Sequence, residues 1–167
     1  KKYEEVVLMT ASLARLLRQS ISNEDEVVPL AREVEYAKGY LTIQKMRYKD
    51  KLEFEIDVEP SILNIPLIKL VLQPIIENAI YHGLKYKESK GLLQVKGFMK
   101  DGNAVLQVID NGVGMDEETL AHIYDKHKVN YHSNGVGVYN VQKRLKLYYG
   151  ENYGITYESE KGVGTTA

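Results

Sequence analysis

"IDNGVGM", Ile109 to Met115, decides the fold. A hydrophobic run, Ala104 to Ile109, ends on the acid Asp110, and two glycines, Gly112 and Gly114, bracket a valine soon after it. Asn-Gly after a strand is a strong hairpin signal, because both turn positions tolerate positive φ. A hairpin needs a second strand, however, and the next segment is VGMDEETLAHIY. Asp116 there reads as an N-cap, acids fill the first turn, and Leu120 and Ile123 share a face, so the chain enters a helix. A calcium loop fails too, since a glutamate should close it and Ala121 holds that place. What remains is a carboxylate at a strand end beside backbone without side chains. That suits a flat ligand with an exocyclic amino group, from which the acid can accept while the bare backbone lets the ring approach.

Upstream, Gly91 to Lys100 and Ala104 to Ile109 make two strands joined by the turn Asp101-Gly102-Asn103. Leu67 to Leu84 reads as one long apolar helix, which Pro74 should kink or restart. In its second half, IIENAIYHGL, residues Ile75, Ile76, Ala79 and Ile80 face a core, while Glu77, Asn78, Tyr81 and His82 fall on the adjoining rim. Asn78 and His82 stand one turn apart, and Gly83 can end the helix. Lys51 to Val58 alternates apolar and charged residues as a half-buried strand does, and Leu30 to Tyr48 reads helical. Lys1 to Ser22 carries two apolar stripes, one through Val6, Met9, Leu13 and Leu16, the breadth a helix needs inside a bundle; packing on its own domain is the plainer reading. A boundary falls near Asn23.

Downstream, the polar DKHKVNYHSN leads to NGVGVYN, where Gly135 and Gly137 open a helix carrying Val138, Val141, Leu145 and Tyr148. Unsatisfied amides and the positive dipole end at such a helix start can seat a phosphate, though a flexible hinge fits the glycines equally well. The segment has neither the lysine of a Walker loop nor the third glycine of a dinucleotide fingerprint. Ile155 to Glu158 and Val163 to Ala167 should be closing strands.

The 167 residues suffice for one domain with an appended element. A hydrophobic share of 44% against 27% charged excludes disorder, and a net charge of −1 leaves no global pull toward nucleic acid or membrane. The absence of cysteine excludes disulfides, thiolate zinc sites and a cysteine nucleophile. His122, His127 and His132 share no helical spacing and no acid cluster completes a metal site. Lys126 and Lys128 read as a solvated charge run.

The order of parts, an ENAIYH helix, DNGVGM, a polar stretch, NGVGV and GVGTT, resembles the Bergerat (GHKL) ATP-binding fold of type II topoisomerases, Hsp90 chaperones, MutL proteins and histidine kinases. VPLAREVEYAKGYLTIQKMRYKDKLEFEIDV, LVLQPIIENAIYHGL and YNVQKRLKLYYG are similar to LytS-type sensor histidine kinases, and MTASLARLLRQSIS to the second helix of their dimerisation bundle. The resemblance implies an α+β fold, a two-layer α/β sandwich whose mixed, mostly antiparallel sheet carries helices on one face, plus the bundle-type helix. It divides the chain into a partial dimerisation helix, residues 1–24, and an ATP-binding catalytic domain, residues 25–167. Asp110 would then accept from the adenine amino group, Gly112 and Gly114 would admit the ring, and Thr165 would support adenine through a water. Asn78 would give an oxygen to Mg²⁺, Gly135 and Gly137 would hold phosphate, and residues 116–134 would form a lid. His82 could reach toward the phosphates.

In that family ATP donates its γ-phosphoryl group to a histidine on the first bundle helix, and a response regulator receives it. No histidine precedes His82 here. The chain is therefore expected to be a piece of a longer protein that binds Mg-ATP without phosphorylating itself. The resemblance also implies a homodimeric parent, a cytoplasmic domain of a bacterial inner-membrane sensor, membrane attachment only through segments outside this chain, and no nucleic-acid partner. The alternatives are an ATP hydrolase of the GHKL type, with Glu77 polarising water, a binding module without turnover, and a serine kinase of the anti-sigma class, against which the bundle-like helix and its connector argue.

Overall fold

The computed structural model describes residues 26–123 and 135–167. The striped segment 1–22 and the stretch holding Lys126, His127, Lys128 and His132 lie outside the described residues.

The main sheet grows from the hairpin of β4 (Gly91–Lys100) and β5 (Asn103–Asp110). Asp101 and Gly102 between them have φ of 50° and 79°, the left-handed pair whose twist matches that of the flanking strands. On one side β2 (Leu52–Val58) runs parallel to β4. On the other, β7 (Gly164–Thr166) and β6 (Glu158–Glu160) continue antiparallel, giving the order β2-β4-β5-β7-β6. Parallel pairing of β2 with β4 requires a crossover, and α2 (Leu72–Asn78) supplies it. Leu52 of β2 is buried while Glu53, Glu55 and Asp57 are exposed, so alternation sets the inner face. Over that face lie α1 (Leu30–Tyr48), α2 and α4 (Gly135–Tyr149). Leu41, Ile76, Val138 and Val141 join Leu93, Val95 and Val108 in one core. This is the expected two-layer α+β sandwich of mixed, mostly antiparallel sheet.

Leu67 to Leu84 is not one helix. Pro66–Ile68 is a strand, β3, paired antiparallel with β1 (Val27–Pro29), and Leu70 turns the chain with φ of 62° before α2 starts at Leu72. Pro74 is thus in the first turn of the helix, where its missing N–H costs no hydrogen bond and produces no kink. Nor does Gly83 end the helix, which continues through a π-helical turn, Ala79–Leu84. The closing strand expected at Ile155 to Glu158 starts only at Glu158, although Ile155 is buried.

No neighbouring residue caps the start of α2. The carboxylate of Glu33, on α1 and 2% exposed, accepts from Leu70 N at 2.7 Å, Val71 N at 2.9 Å and Leu72 N at 3.2 Å. Arg144 of α4 donates to the Lys69 carbonyl at 2.9 Å in the same turn. An anion against orphan amides at the positive end of a helix is favourable, and burial strengthens it. Glu33→Ala should therefore cost about 3 kcal/mol, since it strands three donors, two of them buried. Denaturant midpoints check this, and Glu33→Gln should fall between the two proteins.

Candidate functional site

A cleft of about 560 Å³ opens between α2 and the β5 and β7 end of the sheet. Asn78, His82, Asp110, Gly114 and Thr165 all line it, as does His122 beyond the short helix α3 (Glu117–Ala121). Asp116 caps α3 by accepting from Thr119 N at 3.0 Å. Asp110 and Thr165 are directly opposed on β5 and β7.

Asp110 is 6% exposed. Its Oδ1 accepts from Gly112 N at 2.8 Å, and the ammonium of Lys87, bonded to the Asn111 carbonyl, adds attraction. Desolvation outweighs both and raises the carboxyl pKa from 3.8 to about 6. At neutral pH the group is an ionised acceptor held in a poor solvent, ready for a ligand N–H.

The glycines of this loop serve the protein's own packing first. A Cβ on Gly112 would sit 2.4 Å from Gly83 C, and one on Gly114, where φ is 62°, only 1.9 Å from the Glu160 carbonyl oxygen. The loop is pressed between the π turn and the β6–β7 turn: Val113 N donates to Gly83 O at 3.1 Å and Gly162 N to Val113 O at 2.7 Å. Gly114 borders the cleft, whereas Gly112 is not among its lining residues. Gly83, expected only to end a helix, does line it, and a Cβ there would meet Asp110 Oδ1 at 2.6 Å.

The Asn78 side-chain oxygen is buried and has no hydrogen-bond partner among the described residues. A buried acceptor left open in this way fits a hard cation, which prefers oxygen ligands. His82 stands exposed at the cleft mouth, where partial desolvation and then Lys85 lower its pKa and keep the ring neutral at pH 7. Glu77 is not among the lining residues: Gln73 Nε2 donates to it at 3.0 Å, and its charge lies beside the phenol of Tyr40 on α1. Burial first, and Glu77 second, push that phenol's pKa upward. Gly135 opens α4, and at Gly137 a Cβ would be 3.3 Å from Pro74 Cβ, so the start of α4 crosses the first turn of α2.

One residue that holds the edge of the site from behind gave no sequence signal. Ser159, on β6, accepts from Met115 N at 2.8 Å and lies 2.9 Å from the Thr165 hydroxyl. A lone serine in a short, polar strand has nothing local to mark it.

Residues 64–167 match the family described as histidine kinase-, DNA gyrase B-, and HSP90-like ATPase. The chain belongs to that family. Residues 1–52 match the histidine kinase family. Among curated relatives, the sensor histidine kinase YesM of Bacillus subtilis is 31% identical over 97% of this chain, and the sensor protein LytS of Oceanobacillus iheyensis 34% over 84%. These alignments cover 27% and 24% of the relatives, so this ATPase-family chain spans about a quarter of their length. Among solved structures, the histidine kinase domain of the blue-light activated kinase from Erythrobacter litoralis EL346 superposes with a TM-score of 0.60 at 14% identity, covering 97% of this chain and 71% of that one. The histidine kinase AdeS of Acinetobacter baumannii gives 0.59 at 18%, covering 98% and 73%. At these identities the likeness is one of fold. ATP binding is the property that the family carries to this chain. Among the described residues no helix of this ATPase-family chain is long and apolar enough to cross a membrane.

Proposed function

We propose that the chain is the ATP-binding catalytic part of a two-component sensor histidine kinase, with residues 25–167 as the catalytic domain and residues 1–24 as part of a dimerisation bundle. The observation that carries this reading is the convergence of Asp110, Thr165 and the unpartnered Asn78 oxygen on one cleft. Asp110 accepts from the adenine amino group and Thr165 faces the same ring edge. Asn78 would hold Mg²⁺ through its side-chain oxygen. The amides at Gly135 and Gly137 receive phosphate oxygens, for which the start of a helix is suited. His82, neutral at the cleft mouth, can donate a hydrogen bond toward that charge without adding a cation. Gly112 and Gly114 act by letting the Asp110 loop lie against its neighbours rather than by clearing space for the ring alone.

When bound, Mg-ATP supplies the phosphoryl group that the parent protein passes to a histidine outside this chain and then to a response regulator. That parent is a homodimer whose membrane attachment lies in segments not present here. The position of Glu77, turned to α1 and engaged by Gln73, favours phosphoryl donation over water activation by that residue.

Calorimetric titration with a non-hydrolysable ATP analogue tests the reading. Binding should require Asp110 and tighten with Mg²⁺. Asn78→Ala should abolish most of that Mg²⁺ dependence and leave metal-free affinity within about twofold, because the lost amide oxygen serves the cation. An unmodified chain that gives no binding heat defeats the proposal, and so does acid-labile phosphate on the chain after incubation with labelled ATP.

A further inference from the structure

The loop after Asp110 is gripped from behind by the segment that leaves the π-helical turn. Val113 N donates to Gly83 O at 3.1 Å and the Lys87 ammonium donates to the Asn111 carbonyl, so the two bonds straddle Gly112, whose own N–H is bonded to Asp110 Oδ1. Asn111 is itself tied to β4: its N–H donates to Leu92 O at 3.2 Å and its Oδ1 accepts from Leu92 N at 2.8 Å. Lys87 N donates to Leu84 O at 3.1 Å, so the lysine also starts from a fixed turn. It is half-buried in a stretch, Lys85 to Lys90, whose other residues are exposed. Lys87 is not among the residues that line the cleft; with Tyr48, Lys51, Ile80 and Leu84 it lines a separate small groove. A ligand in the cleft therefore does not touch it.

We propose that Lys87 is a positioning residue for nucleotide binding: held on the Asn111 carbonyl behind the cleft, its ammonium keeps the buried Asp110 carboxylate in the ionised form that accepts a hydrogen bond. This rests on the nucleotide reading of the cleft and adds to it a residue outside the cleft lining. Asp110 is 6% exposed, so water screens little of a charge that acts on it. β4 and β7 set the uncharged Leu93 and Thr165 opposite it, and the π turn brings the bare backbone of Gly83 against its Oδ1. His82 from the π turn, Glu118 from α3 and His122 just beyond it line the same cleft, but the charge that offsets the burial of Asp110 is that of Lys87. Burial raises the carboxyl to about 6, while Gly112 N and Lys87 pull it the other way, so its ionisation near neutrality rests on a narrow margin. Without the ammonium the carboxyl takes up its proton at a higher pH and loses acceptor strength where the unmodified chain retains it.

The test is calorimetric titration of the whole chain with a non-hydrolysable ATP analogue across the acid to alkaline range, for the unmodified protein, Lys87→Met and Lys87→Arg. Lys87→Met should bind roughly fivefold more weakly near pH ~6 and within about 1.5-fold near pH ~8.5, as expected when a charge worth about tenfold in proton affinity is removed from a buried carboxyl. Lys87→Arg keeps the cation and should restore both values. His82, Glu118, His122 and the phosphates of the analogue are the same in every arm and cancel from the ratio. A lysine that only attracted phosphate charge, or only braced the loop, would weaken binding by one factor at every pH, and that result overturns the inference. Denaturation without nucleotide gives a second reading: the stability cost of Lys87→Met should grow as pH rises through about 6 and lose that dependence when Asp110→Asn is also present. A cost indifferent to pH in both backgrounds overturns the inference as well. Should Lys87→Met not fold, Lys87→Gln is read in its place against the same ratio. An unmodified chain that binds no analogue at any pH removes the nucleotide reading and this role with it. One that binds, with a Lys87→Met ratio indifferent to pH, removes only the role of this lysine.

Discussion

Asp110→Asn should weaken ATP binding and gain stability at the same time. The carboxylate is only 6% exposed, and its pKa is raised from 3.8 to about 6 by that burial. A raised carboxyl pKa means that the protonated form favours the fold. Its contribution is fully present below the unfolded value near 3.8 and is lost as pH rises through about 6. The shift of about two units corresponds to ~3 kcal/mol that the ionised group costs the fold above pH 6. Asparagine keeps an oxygen for Gly112 N and carries no charge, so it should recover about 1–3 kcal/mol at pH 8 and almost nothing at pH 4. Chemical denaturation of both proteins across that range checks the sign: the two stability curves should converge toward acid and separate toward alkali. Over the same range ATP affinity of the unmodified chain should fall as pH drops through about 6, while the variant binds roughly 10- to 100-fold more weakly at neutral pH, the worth of a charged hydrogen bond. A variant that is less stable at pH 8, or that binds ATP unchanged, contradicts the account.

The second large effect concerns two glycines whose substitution should have opposite characters. In Gly112→Ala the new carbon meets Gly83 C at 2.4 Å and Gly83 Cα at 2.6 Å, which is backbone and cannot rotate away. The loop must lift off the π turn and break the bond from Val113 N to Gly83 O. A loss of about 3 kcal/mol is expected, at the upper end of overpacking costs, together with loss of nucleotide binding. In Gly83→Ala the first obstacle is Asp110 Oδ1 at 2.6 Å, the tip of a side chain. The carboxylate can swing, so stability should fall by only about 1 kcal/mol while ATP affinity drops steeply, because the displaced group is the one proposed to read the base. Thermal melts and titration of the two variants side by side distinguish backbone collision from displacement of the reading group. Equal losses of stability would refute the distinction.

Much of the molecule is legible in its local sequence, for a definite reason. Alternation in Lys51 to Val58, the Asp-Gly turn at 101–102 and the acid-capped start at Asp116 are instructions that a segment carries for itself. They set φ/ψ and facing within a few residues, and the strands and helices appear there. The acid at the end of β5 belongs to the same class, which is why DNGVGM announces the cleft that Asp110 and Gly114 line.

The features that local pattern misses depend on segments far apart in the chain. Leu67 to Ile68 looks helical by local pattern, but β1 offers it a strand partner and Glu33 caps the helix only from Leu70 onward, 37 to 39 residues away. Gly112 and Gly114 read as room for a ligand, whereas close contact with Gly83 and Glu160 requires them. Glu77 and Asn78 are adjacent in sequence, yet successive helix positions turn by about 100°. One therefore faces α1 and the other lines the cleft. Sequence alone determined which residues form most of the elements and which acid ends the strand. Tertiary structure alone decided which backbone must touch which, and which distant groups share a hydrogen bond, because close approach and hydrogen-bond partnership between distant segments leave no local periodicity to read.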